Sequence, residues 1–96
     1  MIKKVIVACA GAIATSTVVA TRIKELAKRN NINVYICQVR MSEIASYVDS
    51  NTVLIIPTAR VKREFGVPVI VGTPFISGIR LPETEEKILQ ILKREE

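Results

Sequence analysis

The sequence predicts an α/β fold: an open, four-stranded parallel sheet in the order 2-1-3-4, with helices on both faces. Three observations predict it. Short apolar runs alternate with helical patterns along the 96 residues, and strands alternating with helices build parallel sheets. Hydrophobic residues make up 49% of the chain and aromatics only 4%, a Val-, Ile-, Leu- and Ala-rich mixture suited to strands buried on both faces. Finally, a stretch of small residues follows the first strand, on the edge where parallel sheets bind ligands. A chain of this length is expected to form one domain, 1–96.

The first strand reads as Lys3 to Cys9, apolar on both faces as a central strand should be. A helix follows from about Thr15 to Asn30. Val19, Ile23, Leu26 and Ala27 share its inner face, Thr15 or Ser16 can cap its start, and Asn30-Asn31 ends it. Asn33–Cys37 is the second strand. A short helix at about Ser42 to Val48 and a turn at Asp49-Ser50-Asn51 lead to the third strand, Thr52–Ile56. Pro57–Gly66 is a polar connection. Val67–Val71 reads as a fourth strand whose Pro68 suits an edge, and Gly72–Gly78 reads as a loop. The last helix starts near Pro82, with Glu83, Glu85 and Glu86 at its positive end and Lys93 and Arg94 at the other. The result is a doubly wound, flavodoxin- or Rossmann-like sheet, with its switch point between the first and third strands. The loop after Cys9 and the connection carrying Arg60, Lys62 and Arg63 are expected to be neighbours there.

Composition narrows the function. No apolar stretch approaches the roughly 20 residues of a membrane span, and Met1–Val5 does not resemble a cleavable signal. Two cysteines without an export signal are expected to be reduced thiols in the cytoplasm. With no histidine in the chain, Ser-His and Cys-His catalytic pairs are excluded, and a conventional zinc site is not expected. The net charge of +5 raises nucleic-acid binding as a reading, but no dense basic cluster interleaved with aromatics accompanies it. An acidic or phosphorylated protein partner suits the same charge.

The chemistry concentrates in Cys9-Ala10-Gly11-Ala12-Ile13-Ala14-Thr15-Ser16-Thr17. A thiol ends a strand, small or apolar residues leave the space beside it clear, and hydroxyls stand where a helix starts. Backbone N–H groups and a helix N-terminus so arranged cradle an anion. The same field favours the thiolate, the nucleophilic form of cysteine. Cys9 thus reads as a phosphate-carrying nucleophile. Its alternative is a small buried hydrophobe, which is how Cys37 reads, having no such loop behind it. A Cys9–Cys37 disulfide between adjacent strand ends is conceivable, though the cytoplasm disfavours it. Arg60 is either a solvated charge or a contact for the phosphate or an acidic partner. Phe75 and Ile76 either pack inward or dock a partner.

Val7-Ala8-Cys9, Ala14-Thr15-Ser16-Thr17, Pro57-Thr58-Ala59-Arg60-Val61 and Gly72-Thr73-Pro74-Phe75-Ile76-Ser77-Gly78 together resemble the galactitol-type IIB component of the sugar phosphotransferase system (PTS). The likeness runs over nearly the whole chain; the glycine that often follows the family's cysteine is Ala10 here. The resemblance implies that Cys9 accepts phosphate from a phosphohistidine on the IIA component, and that Ala10 to Ser16 are its loop. Cys9 would then pass it to a sugar or sugar alcohol bound by the membrane component IIC. It implies no metal and no organic cofactor. A low-molecular-weight phosphatase also places a cysteine loop after its first strand, but needs an arginine six residues on. Here that residue is Thr15, and Asp49, the sole aspartate, is in a turn. Without an arginine fork or a general acid, the loop favours holding phosphate over hydrolysing it.

Overall fold

The computed structural model describes residues 3–9, 13–58, 66–72 and 74–94, and the side chains of these except 13–16, 76–77 and 94. β1 (Lys3–Cys9) lies at the centre of the sheet, with β2 (Val34–Arg40) on one side and β3 (Thr52–Pro57) on the other, all parallel. Val5 to Cys9 are all buried, as a strand covered on both faces requires.

The sheet has three strands, in the order β2-β1-β3, rather than the four expected. The missing strand is in its expected place but pairs only briefly. Val69 makes a single parallel bridge to Ile55: Ile55 N–H donates to Pro68 O and Ile70 N–H donates to Ile55 O, both at 3.0 Å. A residue whose carbonyl faces its neighbour turns its N–H the same way. The next rung would therefore need an N–H from residue 68, and proline has none. Pro68 faces β3 with its ladder edge, not solvent, and that ends the strand.

α1 (Ile13–Arg29) begins before the expected Thr15, so Thr15 and Ser16 belong to its first turn and do not cap it. Its end is as the asparagines suggest. Asn31 adopts a left-handed φ of 56°, Ile32 N–H donates to Ala27 O at 2.9 Å and Asn31 N–H to Lys28 O at 3.2 Å. This pair of bonds closes the last turn as a Schellman cap. β2 runs on past Cys37 to Arg40, where a 3-10 turn (Met41–Glu43) leads into α2 (Ile44–Tyr47). Between Gly72 and Gly78, read as a loop, Pro74–Ser77 forms α3, and α4 covers Leu81–Arg94.

The strands' period of two divides the core. Val5, Val7, Leu54 and Ile56 face α1, α3 and α4, where they pack with Val19, Ile23, Phe75, Ile88 and Leu92. Ile6, Ala8, Val39 and Ile55 face the other way, onto Ile44, with Cys37, Met41, Val48 and Val67 around them. Both faces are covered, one by long helices and the other by the short α2 region. Each buried Ile, Leu or Phe contributes roughly 1.5–3 kcal/mol of transfer free energy.

Candidate functional site

Cys9 is the last residue of β1 and is buried, with a relative exposure of 7%. The register places it opposite Arg40 at the end of β2, and its neighbour Ala8 opposite Pro57 at the end of β3. Thr58 N–H donates to Ala8 O at 2.8 Å, and Gly72 N–H donates to Pro57 O at 2.7 Å. The chain thus returns to this sheet edge at Gly72, where a side chain has no room. A Cβ there would stand 2.8 Å from Ile56 Cγ2 and 3.2 Å from Val19 Cγ1. Phe75 N–H donates back to Gly72 O at 3.1 Å, fixing α3 beside the edge.

By the period of two, Cys9 shares the face of Val5 and Val7, the face covered by α1. Gln38, opposite Val7, confirms the geometry on β2: Thr17 Oγ1, in α1, donates to Gln38 Oε1 at 3.3 Å. The thiol therefore lies at the carboxyl end of the central strand, on the side of α1, whose first residue is Ile13. This is the placement an anion carried on sulfur needs: a helix N-terminus on the same side of the sheet and the same edge.

Ala10, Gly11, Ala12 and Arg60, together with Lys62 and Arg63, lie outside the described residues; Ile13, Ala14, Thr15 and Ser16 open α1, with side chains outside them. Phe75, considered as a phosphate or partner contact, is 5% exposed and belongs to the core shared by α1, α3 and α4. A helix where a loop was expected turned it inward. Among the described side chains of this region, Ile79 is 70% exposed. Cys37 is not at a strand end. It pairs with Ile6 on the face opposite Cys9, roughly 10 Å away along the strands. Both thiols are free, and no intramolecular disulfide can join them in this fold.

Arg40 is the residue that reading the sequence missed. Ending β2 at Cys37 left Arg40 in a connection, whereas the structure sets it directly beside Cys9. The apolar Val39, buried after the exposed Gln38, was the signal that the strand continues. Elsewhere, an open hollow of about 690 Å³ lined by Lys24, Lys28, Asn31 and Val34 lies at the start of β2, the opposite edge from Cys9. Among the described residues, no group of three or more His, Cys, Asp or Glu could hold a metal ion, and no helix is long and apolar enough to cross a membrane.

The family model described as the PTS system, lactose/cellobiose-specific IIB subunit, matches residues 4–87. The PTS system galactitol-specific EIIB component of Escherichia coli (strain K12) is 50% identical over 94 residues, covering 97% of this chain and 99% of that protein. The protein of the same description from Shigella flexneri is 49% identical over the same shares. Among solved structures, the lactose-specific IIB component domain of the Streptococcus pneumoniae phosphotransferase system superposes with a TM-score of 0.64. Its sequence is 21% identical, over 94% of this chain and 97% of that one; this likeness shows the fold. Neither a phosphatase nor a nucleic-acid-binding module finds support here. The chain belongs to the IIB-subunit family of the sugar phosphotransferase system, whose members are phosphotransferases that carry phosphate to sugar.

Proposed function

We propose that the chain is a cytoplasmic, single-domain phosphocarrier of the galactitol branch, and that Cys9 carries the phosphate. One observation carries the reading. The thiol stands at the carboxyl end of the central strand on the α1 side, in a chain half identical to galactitol-specific EIIB components along nearly its whole length.

The chemistry has two transfers. The Cys9 thiolate attacks the phosphorus of a phosphohistidine on IIA. The S–P bond forms as the N–P bond breaks, and the imidazole leaves with the electron pair and takes up a proton. The second transfer reverses the role of sulfur. A hydroxyl of galactitol held by IIC attacks the phosphorus, the S–P bond breaks, and the thiolate is restored while the hydroxyl proton passes to a base outside this chain. The chain's contribution is positioning and charge stabilisation. Residues 10–16 supply the loop and helix-start N–H groups, which hold the phosphoryl oxygens with little rearrangement. Phe75 takes no part in docking on this reading; its ring belongs to the core.

Intact-mass spectrometry tests the assignment. The protein is incubated with phosphoenolpyruvate, the general phosphotransfer proteins and a IIA shown to carry phosphate. Wild type and Cys37→Ser should each gain one phosphate, and Cys9→Ser none. An adduct on Cys9→Ser, or none on wild type, overturns the reading.

A further inference from the structure

We propose that Arg40 contacts the phosphoryl group on Cys9, closing the anion site from the β2 side; the inference rests on Cys9 being the phosphate carrier. The first ground is register. Cys9 and Arg40 are paired Cα neighbours at the ends of adjacent parallel strands. Such strands lie about 4.8 Å apart, a gap that an extended arginine side chain exceeds.

The second ground is the face. Paired residues of a parallel ladder point to the same side, and along β2 the alternation is independently fixed. Ile36 packs in the α1-side core, Gln38 meets Thr17 of α1, and Cys37 and Val39 pack on the far side. Arg40 is next on the α1 side, one step beyond Gln38 towards the edge. It therefore borders the space between the Cys9 sulfur and the start of α1, where a transferred phosphoryl group would stand.

The third ground is charge. Glu43, the acid nearest in sequence, accepts from the Arg40 backbone N–H at 3.4 Å, and the Arg40 guanidinium forms no ion pair among the described residues. Arg40 is exposed, so its guanidinium can meet an incoming dianion with two parallel N–H donors. Arg40 would hold phosphoryl oxygens from the β2 side. The guanidinium belongs to a neighbouring strand and not to the cysteine loop, so it can hold charge without completing the phosphatase signature.

The experiment compares wild type, Arg40→Gln and Arg40→Lys in two measurements. The first is the rate of phosphate transfer from phospho-IIA. The second is the pH titration of the phosphocysteine 31P resonance, which a purely structural role would leave in place. Arg40→Gln should slow transfer by roughly 10- to 100-fold and move the titration midpoint upward by about one pH unit, with Arg40→Lys recovering part of both. Matching rates and midpoints in wild type and Arg40→Gln would overturn the proposal. Slower transfer with an unmoved midpoint would also overturn it, placing Arg40 in partner docking instead. If wild type takes no phosphate on Cys9, the carrier reading itself fails, and this inference falls with it.

Discussion

Lys4 and Asp49 show how one charged pair ties the entry of β1 to the turn before β3. The Lys4 ammonium donates to Asp49 Oδ2 at 3.0 Å and to Tyr47 O at 2.6 Å, and stands 5.9 Å from the centre of the Tyr47 ring. The hydrogen bond from Lys4, followed by that from the Asn51 backbone N–H, holds the Asp49 carboxyl below the usual carboxylate range. A carboxyl whose folded value is depressed adds stability above its unfolded value, and that stability disappears as pH falls through the folded one. Wild type should therefore exceed Asp49→Asn in denaturant midpoint at neutral pH, with the gap closing as the solution is acidified below pH ~4. A gap that stays constant through the acid range would refute this. Gly72 sets the other residue-scale constraint. Its φ is not the issue; space is, because a methyl would collide with Ile56 at the end of β3. Gly72→Ala should cost about 1–3 kcal/mol in urea denaturation, and an unchanged midpoint would show that β3 and α1 can part without cost.

At the scale of elements, β1 and β3 were legible as short continuous apolar runs, buried on both faces, and α1 and α4 as helical patterns with one apolar face. The Asn30-Asn31 stop was equally readable, since asparagine tolerates the left-handed φ that a Schellman cap needs. What local pattern could not show was tertiary. Pro68 read as an edge proline, but which way its nitrogen points depends on the register with β3, and that register turned it inward. The true extent of β2 was hidden by Gln38, whose polarity looks like a strand end until Thr17 is found opposite it. For the site, the position of Cys9 followed from the strand pattern, whereas Arg40 beside it emerged only from pairing two strands 31 residues apart in sequence. The Pro68 argument makes its own prediction. Pro68→Val restores a donor facing β3, so its new amide should exchange slowly with solvent, protected by the added bond to β3. Net stability should change by less than about 1 kcal/mol, because the unfolded chain gains freedom as the rung forms. Rapid exchange at that amide would mean the segment stops pairing for another reason.

The whole molecule carries a net charge of +5, but charge acts at a site only where screening lets it. Lys28 and Arg29 close the last turn of α1, about 22 Å along the helix from its start. That is more than two Debye lengths at physiological salt, about 8 Å each. If Cys9 carries the phosphate, as proposed, the cations that can draw an acidic or phosphorylated IIA towards it are those on the sheet's carboxyl edge, Arg40 among them. Transfer from phospho-IIA should slow by about tenfold between low salt and roughly 0.5 M. Hydrolysis of the isolated phosphocysteine form, which needs no protein encounter, should hardly respond. Lys28→Glu lowers the net charge as much as reversing any other cation, yet should leave the salt slope of transfer unchanged, whereas Arg40→Gln should flatten it. Stopped-flow or quenched transfer at four or five salt concentrations separates the two cases. If Lys28→Glu flattened the slope as much as Arg40→Gln, net charge and not its placement at the carboxyl edge would govern encounter.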